Sequence, residues 1–99
     1  MNRERSIAEL PNLGPKSQAM LAAADIMTVA QLRELGSVAA YARVKRIDRS
    51  ASLNLLWALE GALSGEAWQT VAREHRASLL LALEDLERSI DARPTHQKE

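Results

Sequence analysis

The sequence predicts a single all-α domain, a compact bundle of about five helices with a tight hairpin near its N-terminus. Apolar residues recur at intervals of three and four, and Gly or Pro interrupts the chain near the ends of such stretches. We find no convincing strand pattern, in which apolar residues recur at every second position. The 99 residues suffice for one modest core, and because aromatic residues are only 3% of the chain, we expect aliphatic side chains to fill it.

Two short helices are predicted at the N-terminus, one on each side of a proline-containing turn. Ser6 and Glu9 have the spacing of a capping box, so the first helix starts there and is stopped by Pro11. The second helix follows at once, because Pro15 is well suited to a first helical position. Its apolar stripe extends to about Ala24.

Two further helices follow, and each has its own start signal. Thr28 and Gln31 form a second capping box, and Gly36 provides the C-terminal stop of the helix that they begin. Ser37 is suited to cap the next helix, which covers about residues 38–46.

The C-terminal half is predicted to hold the central helix and the last helix of the bundle. Residues 52–63 are apolar over most of the helical circumference, so the other helices should pack against this one. A second long apolar stripe covers about residues 73–92, after a turn or short helix. We expect Pro94 to end the ordered chain, which divides it into a domain at residues 1–93 and a disordered polar tail at residues 94–99.

Composition and motifs argue against several classes of protein. Zero net charge argues against a protein that coats nucleic acid by bulk electrostatics, and the absence of Cys excludes disulfide frameworks. Because there is no signal peptide or membrane span, we expect a soluble cytoplasmic protein. His75 and His96 have no ligand at metal spacing, and no Gly-rich phosphate loop is present. We therefore expect a non-enzymatic protein without a metal or cofactor.

The turn near the N-terminus has the pattern of a helix-hairpin-helix-like element. Such a turn directs backbone N–H groups and the positive end of the second helix outward, where a DNA phosphate fits. Asn12 tolerates a left-handed backbone, and Leu13 anchors the turn inward. Gly14 allows close approach, and Lys16 and Ser17 add a cation and a hydroxyl. These five residues form the predicted nucleic-acid-binding site, whose phosphate contacts do not read sequence.

A basic cluster extends this predicted site. Residues 1–50 carry 8 Lys or Arg and 5 Asp or Glu, a net +3, whereas residues 51–99 carry 5 and 8, a net −3. The basic half therefore contains the hairpin. It also contains the cluster that we expect to flank the hairpin, which consists of Arg43, Lys45, Arg46 and Arg49.

Structural interpretations stay open beside the binding hypothesis. The hairpin is also a good corner between two helices, and Pro15 removes one N–H group that a phosphate needs. Asn54 and Glu60, polar residues of the central helix, are expected to bond to the hairpin backbone. Trp57 and Trp68 are expected to lie in or near the core.

Three stretches, in order, resemble the C-terminal domain of the TfoX/Sxy regulators of natural competence. They are Asn12 to Ser17, residues 26–36 and residues 52–63, and the resemblance covers about residues 8–87. It implies a helical domain related to helix-hairpin-helix folds, associated with control of DNA-uptake genes in bacteria and without a known catalytic centre. Family members often carry a preceding α/β domain, so a separate chain with such a domain is an expected partner. Asp25 stands where the pattern usually has Gly, and its charge disfavours a second phosphate contact.

A second hypothesis assigns the function to protein interaction through the last helix. Its apolar stripe is wider than a small core needs, and Leu80 and Leu81 are the residues expected to contact a regulatory partner or a second copy in a homodimer. Zero net charge favours this hypothesis, and the local charge asymmetry favours DNA contact. The sequence leaves both open.

Overall fold

Five α-helices and one 3₁₀ turn make up the described part of the computed structural model, which covers the backbone of residues 6–98 and the side chains of residues 6–89. No strand occurs within that range, and the all-α prediction is confirmed. None of the described helices is both long and apolar enough to cross a membrane. The elements in chain order are the 3₁₀ turn Ile7–Glu9, α1 Pro15–Ala23, α2 Val29–Ile47, α3 Leu53–Ser64, α4 Trp68–Glu74 and α5 Arg76–Lys98.

Helix α2 consists of two helical segments that meet at Gly36, as the sequence predicts. Gly36 has φ 84° and ψ 166°, a conformation that residues with a Cβ rarely adopt. The backbone N–H of Gln31 donates to the Thr28 hydroxyl at 3.0 Å, and the backbone N–H of Thr28 donates to Gln31 Oε1 at 3.2 Å. Both halves of this capping box are therefore present, and Gly36 ends the segment that it starts.

Helix α1 ends in a Schellman motif with Asp25 in the left-handed conformation, φ 69°. The Ile26 amide donates to the Leu21 carbonyl and the Asp25 amide donates to the Ala22 carbonyl, each at 2.9 Å. Leu21 and Ile26 are both buried, as the apolar contact of this motif requires. Asp25 thus occupies the position at which helices usually place Gly, and it helps to end α1.

The predicted helix at residues 73–92 is divided in the structure. Helix α4 ends at Glu74, and His75, with φ −117°, separates it from α5. Neither Gly nor Pro marks this break in the sequence. The break arises from packing, because α4 lies mainly against α3 whereas α5 lies mainly against α2.

The predicted stop at Pro94 is not found, because α5 is helical through to Lys98. A proline removes one hydrogen bond of the helical ladder, but helical backbone can continue on both sides of it. Glu99 lies outside the described residues. The division into a domain at residues 1–93 and a disordered tail at residues 94–99 stays a prediction.

Helix α3 forms the centre of the core, in agreement with its apolar sequence. Leu56 and Leu59 are fully buried, and Trp57 is 3% exposed. Burying an aliphatic side chain of this size contributes about 1.5–3 kcal/mol. The buried apolar residues are Leu, Ala, Ile and Val, with Trp57 and Tyr41 as the aromatic members among the described side chains.

Candidate functional site

The hairpin between the 3₁₀ turn and α1 has the backbone conformation that the sequence predicts. Asn12 is left-handed, φ 71°, and Leu13 is buried, with its amide donating to the Leu10 carbonyl at 3.2 Å. Gly14 is the N-cap of α1, and a Cβ built there would meet nothing within 4 Å. The face of the hairpin at Gly14 is therefore open, and the neighbouring Lys16 is exposed.

The Asn12 side chain joins the hairpin to the rest of the bundle. Its Nδ2 donates to the Glu66 carbonyl at 2.9 Å, and its Oδ1 accepts from the Trp68 amide at 3.4 Å. The two sides of the first bond are 54 residues apart in the chain. Asn12 therefore shapes the hairpin with its backbone and positions the start of α4 with its side chain.

Gly61 makes this junction possible. A Cβ on Gly61 would lie 2.5 Å from Asn12 Nδ2 and 2.5 Å from the Glu66 carbonyl oxygen. Only glycine therefore allows α3 to approach the hairpin this closely. Gly61 is not among the sequence-predicted site residues, although a Gly inside a strongly apolar helix is a signal of close packing.

The hairpin forms one wall of a groove with a volume of about 380 Å³. The loop after α2 and the first turn of α3 form the opposite wall, and α4 contributes its first residue. The groove thus brings the N-termini of α1 and α3 together. The lining residues include Lys16, Ser17, Asp48, Ser50, Asn54 and Trp68.

Both helix N-termini at the groove keep backbone N–H groups without helical acceptors. The first-turn amides of Lys16 and Ser17 are of this kind, whereas Pro15 has no N–H group. Ser52 is the N-cap of α3, but its hydroxyl makes no capping hydrogen bond. The positive ends of two helix dipoles therefore act in the same direction as the charge of Lys16.

Asp48 places a negative charge in the same groove. Ser50 donates to Asp48 Oδ1 from its hydroxyl at 2.6 Å and from its amide at 3.0 Å. These two bonds, followed by the charges of Lys45 and Lys16, lower the pKa of Asp48, so the carboxylate is ionised at neutral pH. Lys16 makes no ion pair within 4.0 Å in the part of the chain that the structure describes.

Lys45, a member of the predicted basic cluster, holds the loop between α2 and α3. Its Nζ donates to the carbonyls of Arg49 and Ala51, each at 2.8 Å. The Tyr41 hydroxyl donates to the same Ala51 carbonyl at 3.1 Å, and burial, together with the nearby charge of Glu87, raises the pKa of Tyr41. These bonds fix the loop that forms the second wall of the groove.

The other residues of the predicted basic cluster are exposed and have different surroundings. Arg43 lines a separate pocket of about 240 Å³ that also has Asp25 and Glu34 in its wall. Arg46 and Arg49 are exposed, and Arg49 lies between two residues that line the groove. No group of three His, Cys, Asp or Glu among the described residues could hold a metal ion.

The prediction that the polar residues of α3 bond to the hairpin backbone is wrong for Glu60. Glu60 is half-buried, and its Oε1 accepts from the buried Ser37 hydroxyl at 2.6 Å. This bond joins α3 to α2 directly after the Gly36 break. Asn54 is exposed at the groove, so it needs no partner inside the protein.

The two tryptophans have different environments. Trp57 is buried, and the guanidinium carbon of Arg76 lies 5.8 Å from its ring centroid. Trp68 is 38% exposed and lines the groove. The core assignment from the sequence therefore holds for Trp57, whereas Trp68 is a surface residue that belongs to the candidate site.

The two residues of the predicted partner surface on α5 differ in exposure. Leu80 is half-buried and packs against the core. Leu81 is 60% exposed. Of these two residues, only Leu81 offers a largely free apolar side chain.

Comparison with known proteins identifies relatives of this fold. The chain matches the TfoX C-terminal domain over residues 3–83. An uncharacterized protein from Listeria monocytogenes, in a triclinic crystal form, is 32% identical over 84% of this chain and 94% of its own, with a TM-score of 0.73. A protein of unknown function from Listeria monocytogenes, in a tetragonal form, is 32% identical over 81% of this chain and 99% of its own, with a TM-score of 0.71.

No curated protein matches the chain. The family match nonetheless covers most of the residues, and it includes all three stretches on which the sequence-based resemblance depends. That resemblance is confirmed. The chain belongs to the TfoX C-terminal domain family.

Proposed function

We propose that the protein is a non-enzymatic regulatory domain in the control of natural competence, and that its hairpin contacts DNA phosphate without reading sequence. The observation that carries the DNA contact is the groove, which is lined by the N-termini of α1 and α3 and by Lys16. Open helix-terminal amides and a lysine without an ion pair to any described residue are groups that bind phosphate. Membership of the TfoX C-terminal domain family supports the regulatory role.

The charges around the groove support a weak and local contact. The chain has no net charge, so its field as a whole does not attract DNA. Lys16, Lys45 and the exposed Arg49 are cations near the groove, and Asp48 opposes them. With two or three phosphate contacts, the logarithm of the binding constant should fall against the logarithm of salt concentration with a slope of about −2 to −3.

A salt titration of binding to a labelled DNA duplex tests this proposal. We expect the parent protein to bind at low salt and Lys16→Glu to weaken that binding by about tenfold, because the new carboxylate repels the phosphate that the lysine attracts. Arg88→Glu is the matched control. It makes the same change in charge on α5, where Arg88 is exposed beside Glu84 and Asp85.

The parent and the control decide the outcome together. If the parent does not bind at low salt, the DNA contact is excluded. If Arg88→Glu weakens binding as much as Lys16→Glu, bulk charge rather than the hairpin explains the attraction. Only a loss of DNA affinity that is confined to Lys16→Glu supports phosphate binding at the groove.

Protein interaction is the second candidate function, and the exposure of Leu81 is the observation that favours it. The partner is a second copy of the chain or a regulatory protein such as a separate α/β domain. We expect Leu81→Gln to weaken any such association, as measured by sedimentation of the protein alone and by pull-down with the candidate domain. Association that is unchanged in this variant would remove Leu81 as the contact.

A further inference from the structure

We infer that the groove binds one unpaired nucleobase against the Trp68 indole, so that the preferred nucleic acid is single-stranded. This inference rests on the proposed phosphate contact and adds the chemical class of the ligand. It depends on an exposed aromatic ring, a cation and a cavity of suitable size that occur at one place. Base stacking on an aromatic side chain beside a positively charged groove is a common way to bind single strands.

Trp68 is suited to this role because its backbone is fixed while its side chain remains accessible. The Trp68 amide is held by Asn12 Oδ1 at 3.4 Å, which ties the start of α4 to the hairpin. Trp68 nevertheless remains 38% exposed, whereas Trp57 is 3% exposed. A tryptophan that packs only as a core residue would resemble Trp57 in its burial.

The size of the groove favours a single base over a duplex. Its volume of about 380 Å³ lies in the range of sites for small ligands, so one nucleotide fits it. A base inside a duplex has both faces covered by its neighbours, and the indole cannot stack on it. An unpaired base can leave its stack and enter the groove.

The charges also separate the positions of base and phosphate. Lys16 and the open amides of α1 attract phosphate at the hairpin wall, whereas the ionised Asp48 on the opposite wall repels it. Asn54 and Ser50, which also line the groove, offer hydrogen bonds to the polar edge of a base. The phosphate would therefore lie at the hairpin wall and the base against Trp68.

Tryptophan fluorescence and affinity measurements test the inference. The probes are an unlabelled single-stranded oligodeoxynucleotide, the ribo-oligonucleotide of the same sequence, and a DNA duplex of the same length. We expect both single strands to quench the protein's fluorescence and to bind about tenfold more tightly than the duplex. Trp68→Leu should lose the quenching and about tenfold of single-strand affinity, and should keep its affinity for the duplex.

Trp57→Phe is the control that identifies the responding ring. It leaves Trp68 as the single tryptophan of the chain, and we expect its fluorescence to be quenched as in the parent. Circular dichroism of each variant checks that the fold is retained. Trp68→Phe, which keeps an aromatic face, should recover most of the single-strand affinity.

The outcomes separate this inference from the proposed function. If neither single strand binds the parent, or if Trp68→Leu binds single strands as well as the parent does, the inference is overturned. Duplex binding that still depends on Lys16 would in that case leave the proposed function intact. Trp68-dependent binding of single strands without duplex binding would support the inference and exclude the duplex contact.

Discussion

At the scale of single residues, the junction of Asn12 and Gly61 shows how one glycine connects the hairpin to the core. The side-chain Nδ2 of Asn12 donates to the Glu66 carbonyl across a narrow space, and a Cβ on Gly61 would lie 2.5 Å from both atoms of this bond. Asn12 itself is left-handed, φ 71°. The side chain and the backbone of Asn12 therefore serve different purposes, and the side-chain bond depends on the absence of a side chain at Gly61.

We predict that Gly61→Ala destabilises the protein by about 1–3 kcal/mol, because the added methyl group overpacks this junction. The expected sign is informative, since Gly→Ala inside an ordinary helix stabilises by about 1 kcal/mol. Urea unfolding followed by circular dichroism measures the change in the free energy of unfolding. A stabilised Gly61→Ala protein would show that the junction has room for a methyl group.

A second residue-scale prediction concerns Asp25, whose φ of 69° is strained for a residue with a Cβ. We expect Asp25→Gly to stabilise the protein by about 0.5–1 kcal/mol, because glycine adopts this conformation without steric cost. Asp25→Ala removes the same charge but keeps a Cβ, so it serves as the control. Thermal unfolding should rank glycine above alanine, and equal stability would assign the effect to charge instead of backbone strain.

At the scale of elements, the connection between α2 and α3 is held by polar groups that respond to acid. The Asp48 carboxylate accepts two bonds from Ser50, and its pKa in the folded protein is below the ordinary value of 3.8. A carboxyl group with a lowered pKa in the folded state stabilises the protein above its unfolded pKa. This contribution is lost as the pH falls through the folded pKa.

We therefore predict that Asp48→Asn makes the free energy of unfolding less dependent on pH below about pH 4. Asparagine keeps the Oδ1 acceptor for Ser50 and removes the titrating group, so the turn itself should persist. Urea unfolding at a series of acidic pH values measures the effect. Unchanged pH dependence would mean that Asp48 contributes nothing to acid sensitivity.

At the scale of the whole molecule, helix ends that depend on capping residues are easier to predict from the sequence than helix ends that depend on packing. The first segment of α2 begins after Thr28 and ends at Gly36, as expected, because capping and a positive φ depend on residues close together in the sequence. The break at His75 has no such local signal. It arises from the different packing of α4 and α5, and a single sequence does not encode that packing in any one position.

The candidate site was predictable to the same extent. The position of Lys16 and Ser17 at the groove was predictable, because both residues directly follow the hairpin turn in the sequence. The opposite wall, with Asp48 and Asn54, depends on how α3 docks. The sequence predicts Trp68 in or near the core, because composition does not show which tryptophan faces a cavity.

The long reach of the Asn12 bond has a consequence for the order of folding. The hairpin, α1 and the first segment of α2 are contiguous in sequence, whereas the bond from Asn12 to Glu66 closes a loop of 54 residues. Loop closure of this length is entropically costly, so we expect the N-terminal segment to form early and to dock on α3 late. The groove is created by that docking, so a chain in which the hairpin has not docked on α3 lacks the complete site.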